Sequence, residues 1–362
     1  MKPTALYIHI PFCAHICAYC DFPKVLYTPS WAFSYVQELE KEVRSEGIDS
    51  VKTIYVGGGT PTSLNEEELE NLLSFLAPYL EKGGEFTVEA NPENFTATKA
   101  EILQKYGVNR LSFGVQSSLE RLLKLMGRKH SFLEAKQAVM LAREKGFRNI
   151  SCDLIYGLPD ESMGELEQDI DALLSLQSEH LSTYCLSVNP GTVFSARHLQ
   201  EMDQALAADQ YERILSRLRE AGYDRYEVSN FAKDGHYSRH NLTYWKDEPY
   251  YAAGLGASGY IGDLRYTNTR DFSAYLKGKR HEEEEIVTPL EDKKYFFLTN
   301  LRLETGFGLD AYEARFHERF EKTYEKAVEP LISSGLLTLT KERVFATDKG
   351  ILLLDRILLA LY

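Results

Sequence analysis

The sequence predicts an α/β protein in which a partial, open barrel of parallel strands precedes a small, mostly helical domain. From Ala5 to about Val188, short β-rich runs alternate with helical patterns. No hairpin turn separates consecutive strands, so they are expected to run parallel, with right-handed crossovers through the helices. Six such units are fewer than the eight of a closed barrel, which favours a partial (β/α)6 barrel.

Each element is predicted from its own residue pattern. The candidate strands are rich in β-branched and aromatic residues and span residues 5–10, 53–56, 85–89, 110–115, 150–155 and 181–188. The candidate helices have apolar residues three and four positions apart and span residues 31–46, 66–80, 98–106, 132–145 and 163–176. A longer amphipathic helix over 205–221 and a strand over 225–228 are predicted to follow.

Beyond residue 188 the alternation ends, which predicts a change of architecture. We expect residues 1–230 to form the barrel, 231–285 a connecting segment, and 286–362 a winged-helix-like domain with strands at 336–340 and 344–346. The acidic run 281–285 is predicted to be a solvated linker or the start of a helix.

Composition excludes several classes of function. A formal net charge of -13 argues against a nucleic-acid partner, which needs a basic face. No apolar run approaches the roughly 20 residues of a membrane-spanning helix, and residues 1–12 do not resemble a secretory signal. The chain is therefore expected to be cytoplasmic and not an integral membrane protein, and clustered cysteines in that reducing setting are expected to bind metal.

Three of the five cysteines lie within eight residues, as Cys13, Cys17 and Cys20. This C-x3-C-x2-C spacing can hold one metal centre and leaves it one protein ligand short, as in a reactive site. A zinc site completed by His9 or His15 is the alternative, but no second pair of ligands follows. The other two cysteines, Cys152 and Cys185, lie in strand patterns and are expected to be small core residues.

Unusual residues follow the predicted strands, where parallel β/α proteins place their chemistry. Any one of these loops could be only a turn, but together they would converge on one rim of the barrel. They are the cysteine run, the glycine-rich loop 57–62, the segment 89–93, Gln116, and Asp153 with the loop 157–159.

With Tyr19 before its last cysteine, the run resembles the signature of the radical S-adenosylmethionine (SAM) superfamily. This resemblance implies a 4Fe–4S cluster whose fourth iron binds the amino and carboxylate groups of SAM. An electron from the cluster, supplied by a donor, would then cleave the sulfonium C–S bond.

Further segments are similar to the oxygen-independent coproporphyrinogen III oxidase branch of that superfamily: residues 7–12, 57–62, 112–117 and 153–159. The resemblance spans essentially the whole chain. The positions that match SAM-contacting positions of that branch are Tyr7, Gly58, Gly59, Thr60, Glu89, Gln116, Arg128 and Asp153. For Arg128 and Asp153, a structural ion pair is the alternative.

Two departures separate this chain from the oxidase. The oxidase has a fourth cysteine two residues after the third, where this chain has Asp21-Phe22, and it has a long N-terminal extension that is not expected here. The segment His240-Asn241-Leu242-Thr243-Tyr244-Trp245 instead resembles the HNxxYW motif of a haem chaperone subgroup.

That resemblance implies haem ligation by His240 and packing of Tyr244 and Trp245 on the porphyrin. Without it, a histidine beside two aromatic residues is more simply a packed loop. The sequence is therefore interpreted as a radical-SAM-fold protein that binds a cluster, SAM and haem and passes the haem to an acceptor protein. Oxidative decarboxylation of coproporphyrinogen III is the alternative.

Overall fold

The computed structural model describes residues 2–362. Its centre is one nine-stranded sheet that curves into an open barrel. The strands of the chain are β1 (Ala5–Ile10), β2 (Phe12–Cys13), β3 (Val25–Leu26), β4 (Val51–Gly58), β5 (Leu80–Ala90), β6 (Arg110–Gln116), β7 (Ile150–Tyr156), β8 (His180–Cys185), β9 (Asp224–Arg225), β10 (Asn230–Ala232), β11 (Tyr251–Ala253), β12 (Ser258–Ile261), β13 (Leu264–Asn268), β14 (His281–Ile286), β15 (Phe307–Gly308), β16 (Leu337–Leu339) and β17 (Arg343–Ala346).

Helices cover the outer face of this sheet and form most of the C-terminal region. They are α1 (Pro29–Ser45), α2 (Glu66–Leu76), α3 (Ala97–Lys105), α4 (Glu120–Met126), α5 (Phe132–Glu144), α6 (Met163–Ser175), α7 (Val193–Ala196), α8 (Gln204–Glu220), α9 (Arg239–Trp245), α10 (Phe272–Leu276), α11 (Pro289–Asn300), α12 (Leu309–Phe316), α13 (Phe320–Thr323), α14 (Glu325–Ser333), α15 (Asp348–Leu352) and α16 (Leu354–Leu361). Three 3₁₀ turns lie at Pro61–Ser63, Ala77–Tyr79 and Pro92–Asn94.

The predicted partial barrel is confirmed. Strands β1, β4, β5, β6, β7 and β8 are parallel neighbours in chain order, as right-handed β/α units require. Strand β11 adds in parallel beside β1, and β10 and β9 add antiparallel beside β8. Capping boxes at Asn65–Glu68, Ser131–Glu134 and Ser162–Glu165 start three of the covering helices.

The segment between residues 231 and 285 does more than connect. It supplies β11 to the barrel sheet and helix α9, which packs against β4, and then a second sheet of order β12-β13-β14. The prediction of a linker or helix start over 281–285 is wrong, since these residues form strand β14. Its acidic side chains suit an exposed edge strand, where charge discourages pairing with another chain.

The C-terminal region packs helices α11 to α16 around a cluster of aromatic side chains that includes Phe296, Phe297 and Tyr312. The predicted pair of strands is present as the antiparallel hairpin β16–β17, and β15 adds a third strand. Arg225 of β9 joins this region to the barrel through Glu304 and Asp348. Within residues 2–362, no helix has the length and apolarity that crossing a membrane requires.

Candidate functional site

The three clustered cysteines lie in a loop whose two ends are joined by a short pair of strands. Cys13 ends the short strand β2, which pairs in parallel with β3 on the far side of the loop. The N–H of Tyr27 donates to the carbonyl of Cys13 at 2.9 Å, and that of Ala18 donates to the carbonyl of Met126 at 2.9 Å. The loop is therefore fixed at both ends and at its middle.

The sulfur atoms lie among polar groups. The hydroxyl of Thr60 contacts Sγ of Cys13 at 3.9 Å, and Nη1 of Arg128 contacts Sγ of Cys17 at 3.5 Å. Burial raises the pKa of the Cys13 thiol to about 12, against the hydrogen bond from Thr60, and burial also raises the pKa of Cys20. Deprotonation of these thiols at neutral pH therefore needs a nearby positive charge, which a bound metal would supply.

Within residues 2–362, no three His, Cys, Asp or Glu side chains converge closely enough to hold a single metal ion. This disfavours the zinc alternative. A four-iron cluster holds its cysteine sulfurs farther apart than one ion does, so the same spacing is compatible with a cluster. The donor set, three soft sulfurs on one cavity wall, is that of iron–sulfur chemistry.

A cavity of about 420 Å³ opens at the C-terminal ends of the barrel strands, beside the cysteine loop. The fold thus brings residues from seven separate segments of the sequence to one space. Those predicted from the sequence are Cys13, Cys17, Cys20, Gly58, Gly59, Thr60, Glu89, Gln116, Arg128 and Asp153.

The glycine-rich loop comes close to the cysteine loop because it lacks side chains. Gly58 has φ +109°, and a Cβ there would lie 2.5 Å from the ring of His9. A Cβ on Gly59 would lie 2.8 Å from the carbonyl carbon of Pro11. Both positions therefore require glycine, and the backbone can approach a ligand there.

Gln116 ends β6 in a strained backbone conformation. Its φ is +69°, in the left-handed region that a non-glycine residue rarely adopts, and the strand register shifts between Phe113 and Gln116. Its Oε1 is buried without a hydrogen-bond partner. Strain and an unpaired buried acceptor at one residue are typical of a ligand-binding position.

Arg128 is buried and points into the cavity wall. Its Nη2 donates to Oδ1 of Asn91 at 2.8 Å and also to the carbonyl of Gly114, while its Nη1 faces Cys17. The alternative of a structural ion pair, weighed for each of Arg128 and Asp153, is not what the structure contains: within residues 2–362 neither side chain has a group of opposite charge within 4.0 Å. The guanidinium instead bridges the β6 end and the cysteine loop.

Two carboxylates occupy the floor of the cavity. Oε1 of Glu89 accepts from the hydroxyl of Tyr55 at 2.7 Å, and Oε2 accepts from the N–H of Gly58 at 3.1 Å. Asp153 accepts from the hydroxyl of Ser112 at 3.3 Å. Burial raises the pKa of Glu89 to about 7 and raises the pKa of Asp153. Both are suited to accept hydrogen bonds from hydroxyl or amine groups of a ligand.

Tyr7 is not among the residues that line this cavity. Its ring stacks on that of Tyr55 at a centroid distance of 6.1 Å, and its hydroxyl hydrogen-bonds to Nδ1 of His9 at 3.1 Å. It therefore packs against a residue of the cavity wall.

The motif residues His240, Tyr244 and Trp245 also lie away from the cavity. His240 is fully buried between α9 and β4, with Nδ1 at 2.8 Å from the hydroxyl of Thr53 and Nε2 at 2.6 Å from that of Tyr244. Trp245 faces the C-terminal region, with the guanidinium of Arg302 5.6 Å from its ring. The three side chains do not form an open face in this structure.

The cavity contains residues that the sequence reasoning did not single out. Tyr55, Asn91, Ser112 and Tyr184 all line it. Their positions in the sequence could have identified them, since each lies on an inward-facing strand position or directly after a strand. Cys152 is buried as expected, but the expectation for Cys185 is wrong: it is exposed and lines the cavity at the end of β8.

Comparisons with known proteins agree with this geometry. Residues 7–173 match the radical SAM superfamily, and residues 287–353 match the HemN C-terminal domain. The chain is 40% identical to heme chaperone HemW of Lactococcus lactis over 96% of this chain and 94% of that one. It is 39% identical to HemW of Bacillus subtilis over 96% of both chains, and 35% identical to HemW of Escherichia coli over 99% and 98%.

A solved structure shares the fold. Coproporphyrinogen III oxidase (HemN) from Escherichia coli, a radical SAM enzyme, superposes with a TM-score of 0.86. The match covers 99% of this chain and 90% of that one, at 23% sequence identity. At that identity the likeness establishes the fold alone.

Proposed function

Because the chain belongs to the heme chaperone HemW family within the radical SAM superfamily, we propose that it binds a four-iron cluster, SAM and haem, and delivers the haem to an acceptor protein. The single observation that carries the proposal is the 40% identity to a named heme chaperone over nearly the whole chain. The cavity described above supports the cluster and SAM parts.

We assign the cluster to Cys13, Cys17 and Cys20. Their loop is held in place, and the sulfurs face the same cavity. Three cysteines leave one iron without a protein ligand, and SAM can occupy that position through its amino and carboxylate groups. When bound, the cluster would supply one electron, which has to come from an electron-donor protein.

The remaining lining residues are suited to hold SAM. Gly58 and Gly59 have no side chains, so its methionine part can approach the backbone closely there. Arg128 and Gln116 offer donors for a carboxylate, while Glu89 and Asp153 offer acceptors for an amine or ribose hydroxyls. Thr60 lies between the cysteine loop and Asn91, and its hydroxyl accepts from the Asn91 amide at 2.9 Å.

For haem, the proposal rests on the relatives' name and on the HNxxYW segment. Burial lowers the pKa of His240 to about 3, so its imidazole is neutral at physiological pH, the form that ligates iron. Both ring nitrogens are hydrogen-bonded, however, so ligation requires helix α9 to release His240. Tyr244 and Trp245 would then present their rings to the porphyrin.

Haem titration of wild type and His240→Ala tests the ligand assignment. We expect the variant to lose most of its affinity and to shift the Soret band. His198→Asn is the matched control, since His198 is exposed and asparagine tolerates its left-handed backbone. Unchanged affinity and spectrum in His240→Ala would remove His240 from the site.

An anaerobic assay separates this function from that of the oxidase. With reductant, SAM and coproporphyrinogen III, a haem chaperone forms no protoporphyrinogen. Turnover would replace the chaperone proposal by the enzymatic one.

A further inference from the structure

Arg110, at the start of β6, is a buried cation without a direct partner. Its side chain is among the largest fully buried ones, and the residue is 2% exposed. Its Nε has no hydrogen-bond partner, and no carboxylate oxygen of residues 2–362 lies within the 4.0 Å of an ion pair. Burying an unpaired guanidinium costs free energy, which indicates that Arg110 has a function that offsets this cost.

The strand register places Arg110 inside the barrel, below the cavity. Side chains two apart on a strand face the same side, and Ser112 and Gly114 of β6 both line the cavity. Arg110 is opposite Thr87 in the neighbouring strand β5, whose hydroxyl is also buried and unpaired. The two residues form a polar layer beneath the cavity floor.

The next layer up contains the two carboxylates. Glu89 of β5 is opposite Ser112 of β6, and the Ser112 hydroxyl donates to Asp153 of β7. Arg110 lies on the strand between the two carboxylates, two residues or about 7 Å below that row. It is too far for a direct ion pair and near enough for its charge to act through a low-dielectric interior.

We propose that Arg110 is a positioning residue whose charge favours the ionised forms of Glu89 and Asp153, in which both accept hydrogen bonds from SAM most strongly. The inference deepens the proposed SAM site and rests on it. Burial raises the pKa of both carboxyl groups, and the charge of Arg110 opposes that rise at each of them. Without this charge, each carboxyl group would stay protonated to a higher pH, and in that form it is a weaker acceptor.

Other ionisable groups face the same space and have to be considered in the test. His180 of β8, His240 of α9 and Tyr226 face Arg110, and burial lowers the pKa of both histidines, which leaves them neutral. The groups that face the carboxylates are phenols with pKa values raised by burial, and they are uncharged: Tyr7, Tyr19, Tyr55, Tyr184 and Tyr244. Arg110 and Arg128 are the two buried guanidinium groups of this space: Arg128 is held at the cysteine loop by Asn91 and Gly114, whereas the charge of Arg110 lowers the pKa of both carboxyl groups.

Binding of SAM to the cluster-loaded protein, measured from pH 6 to pH 9, tests the role. In Arg110→Met we expect affinity at pH 7 to fall about tenfold and the rise of affinity with pH to move up by about one unit. Arg110→Lys should retain the wild-type profile, because it keeps the charge. Arg148→Met, at an exposed arginine, is the control.

A second measurement does not depend on SAM. Infrared titration of the cluster-free protein follows the C=O band of protonated carboxylic acids, and in Arg110→Met part of this band should persist to higher pH than in wild type. That added part should be absent from Arg110→Met/Glu89→Gln/Asp153→Asn, in which Glu161 and Glu227, whose pKa values burial raises to about 7, still titrate. Two results would overturn the role of Arg110. One is an infrared titration that is the same in wild type and Arg110→Met. The other is a loss of SAM affinity that is equal at all pH values and is not restored in Arg110→Lys. If wild type binds no SAM, the proposed function fails, and the infrared titration still decides the inference. If Arg110→Met does not fold, Arg110→Gln is used for both measurements.

Discussion

Nε2 of His240 lies 2.6 Å from the hydroxyl oxygen of Tyr244, one turn further along the same helix. The other ring nitrogen is held by Thr53 at 2.8 Å, so the imidazole has no free lone pair. Helix α9 is itself anchored, because the carboxylate of Glu85 accepts from the N–H groups of Arg239 and His240. If His240 ligates haem as proposed, this helix would have to rearrange on binding.

Removal of the Tyr244 hydroxyl should make His240 easier to recruit. In Tyr244→Phe, Nε2 loses its partner, and we expect the rate constant of haem binding to rise. The free energy of unfolding should fall by about 1–3 kcal/mol, because a buried nitrogen is left unsatisfied. Stopped-flow absorbance at the Soret band and urea denaturation measure the two effects. Tyr250→Phe is the matched control, and an unchanged rate constant in Tyr244→Phe would contradict the coupling.

Substitution of the three clustered cysteines should abolish the cluster. After anaerobic reconstitution, we expect about four irons per chain in wild type and almost none in the Cys13→Ala/Cys17→Ala/Cys20→Ala variant. Iron analysis and the visible absorption spectrum are the readouts. Cys185→Ala serves as the control, since Cys185 lines the same cavity. Full iron content in the triple variant would show that other residues hold the metal.

The ionisation of Glu89 should give opposite pH trends for stability and ligand affinity. Its pKa is raised from 4.5 to about 7 in the folded protein, so its contribution lowers the free energy of unfolding as pH rises between those values. SAM affinity should rise through pH 7 as the carboxylate forms. In Glu89→Gln we expect a loss of about 10- to 100-fold at pH 8, the equivalent of one charged hydrogen bond, and a smaller loss at pH 6.

Glu161 provides the control for that experiment. Burial also raises its pKa to about 7, but it does not line the cavity. Glu161→Gln should therefore leave the pH dependence of SAM binding unchanged. If both variants change it equally, the effect is not specific to the cavity.

The close approach at Gly58 should not tolerate a side chain. In Gly58→Ala, the new Cβ meets the His9 ring and the backbone is held at φ +109°, so we expect the free energy of unfolding to fall by more than about 1 kcal/mol and SAM affinity to fall as well. Gly47→Ala is the control, since it has positive φ but open space around it. Equal loss of SAM affinity in the two variants would contradict a specific role for the loop.

Arg225 should account for much of the attachment of the C-terminal region to the barrel. Its side chain is 1% exposed and pairs with Glu304 and Asp348. We expect Arg225→Met to lower the free energy of unfolding by about 2 kcal/mol, less than for a fully buried pair because the carboxylates are partly exposed. Arg219→Met, at an exposed arginine on the same carboxylates, should cost less than about 1 kcal/mol in urea denaturation.

The barrel was predictable because its strands and helices have strong, simple periodicities. Strand β1 and the start of β6 coincide with the predicted bounds, and the rim residues follow from the rule that parallel strands place their carboxyl ends together. The same rule explains why Glu89, Gln116 and Asp153 meet in one cavity although they are far apart in the sequence.

What the sequence could not reveal depends on contacts between distant segments. The surroundings of His240 are set by Thr53 and Glu85, which are more than 150 residues away, and no local pattern predicts them. Strand β14 was missed because acidic residues have low strand propensity, and pairing with β13 overrides it. Tyr7 was assigned as a SAM contact from the family resemblance alone, and in the structure its ring stacks on that of Tyr55, which lines the cavity.

The closure of the cysteine loop by strands β2 and β3 has a consequence for the maturation of the protein. The loop is held by backbone hydrogen bonds and by Ala18, which bonds to Met126 and accepts from Phe194. These contacts come from the chain itself, in contrast to small domains whose fold depends on metal ligands alone. We therefore expect folding of the chain to precede insertion of the proposed cluster, so that the folded protein is the form into which iron is loaded.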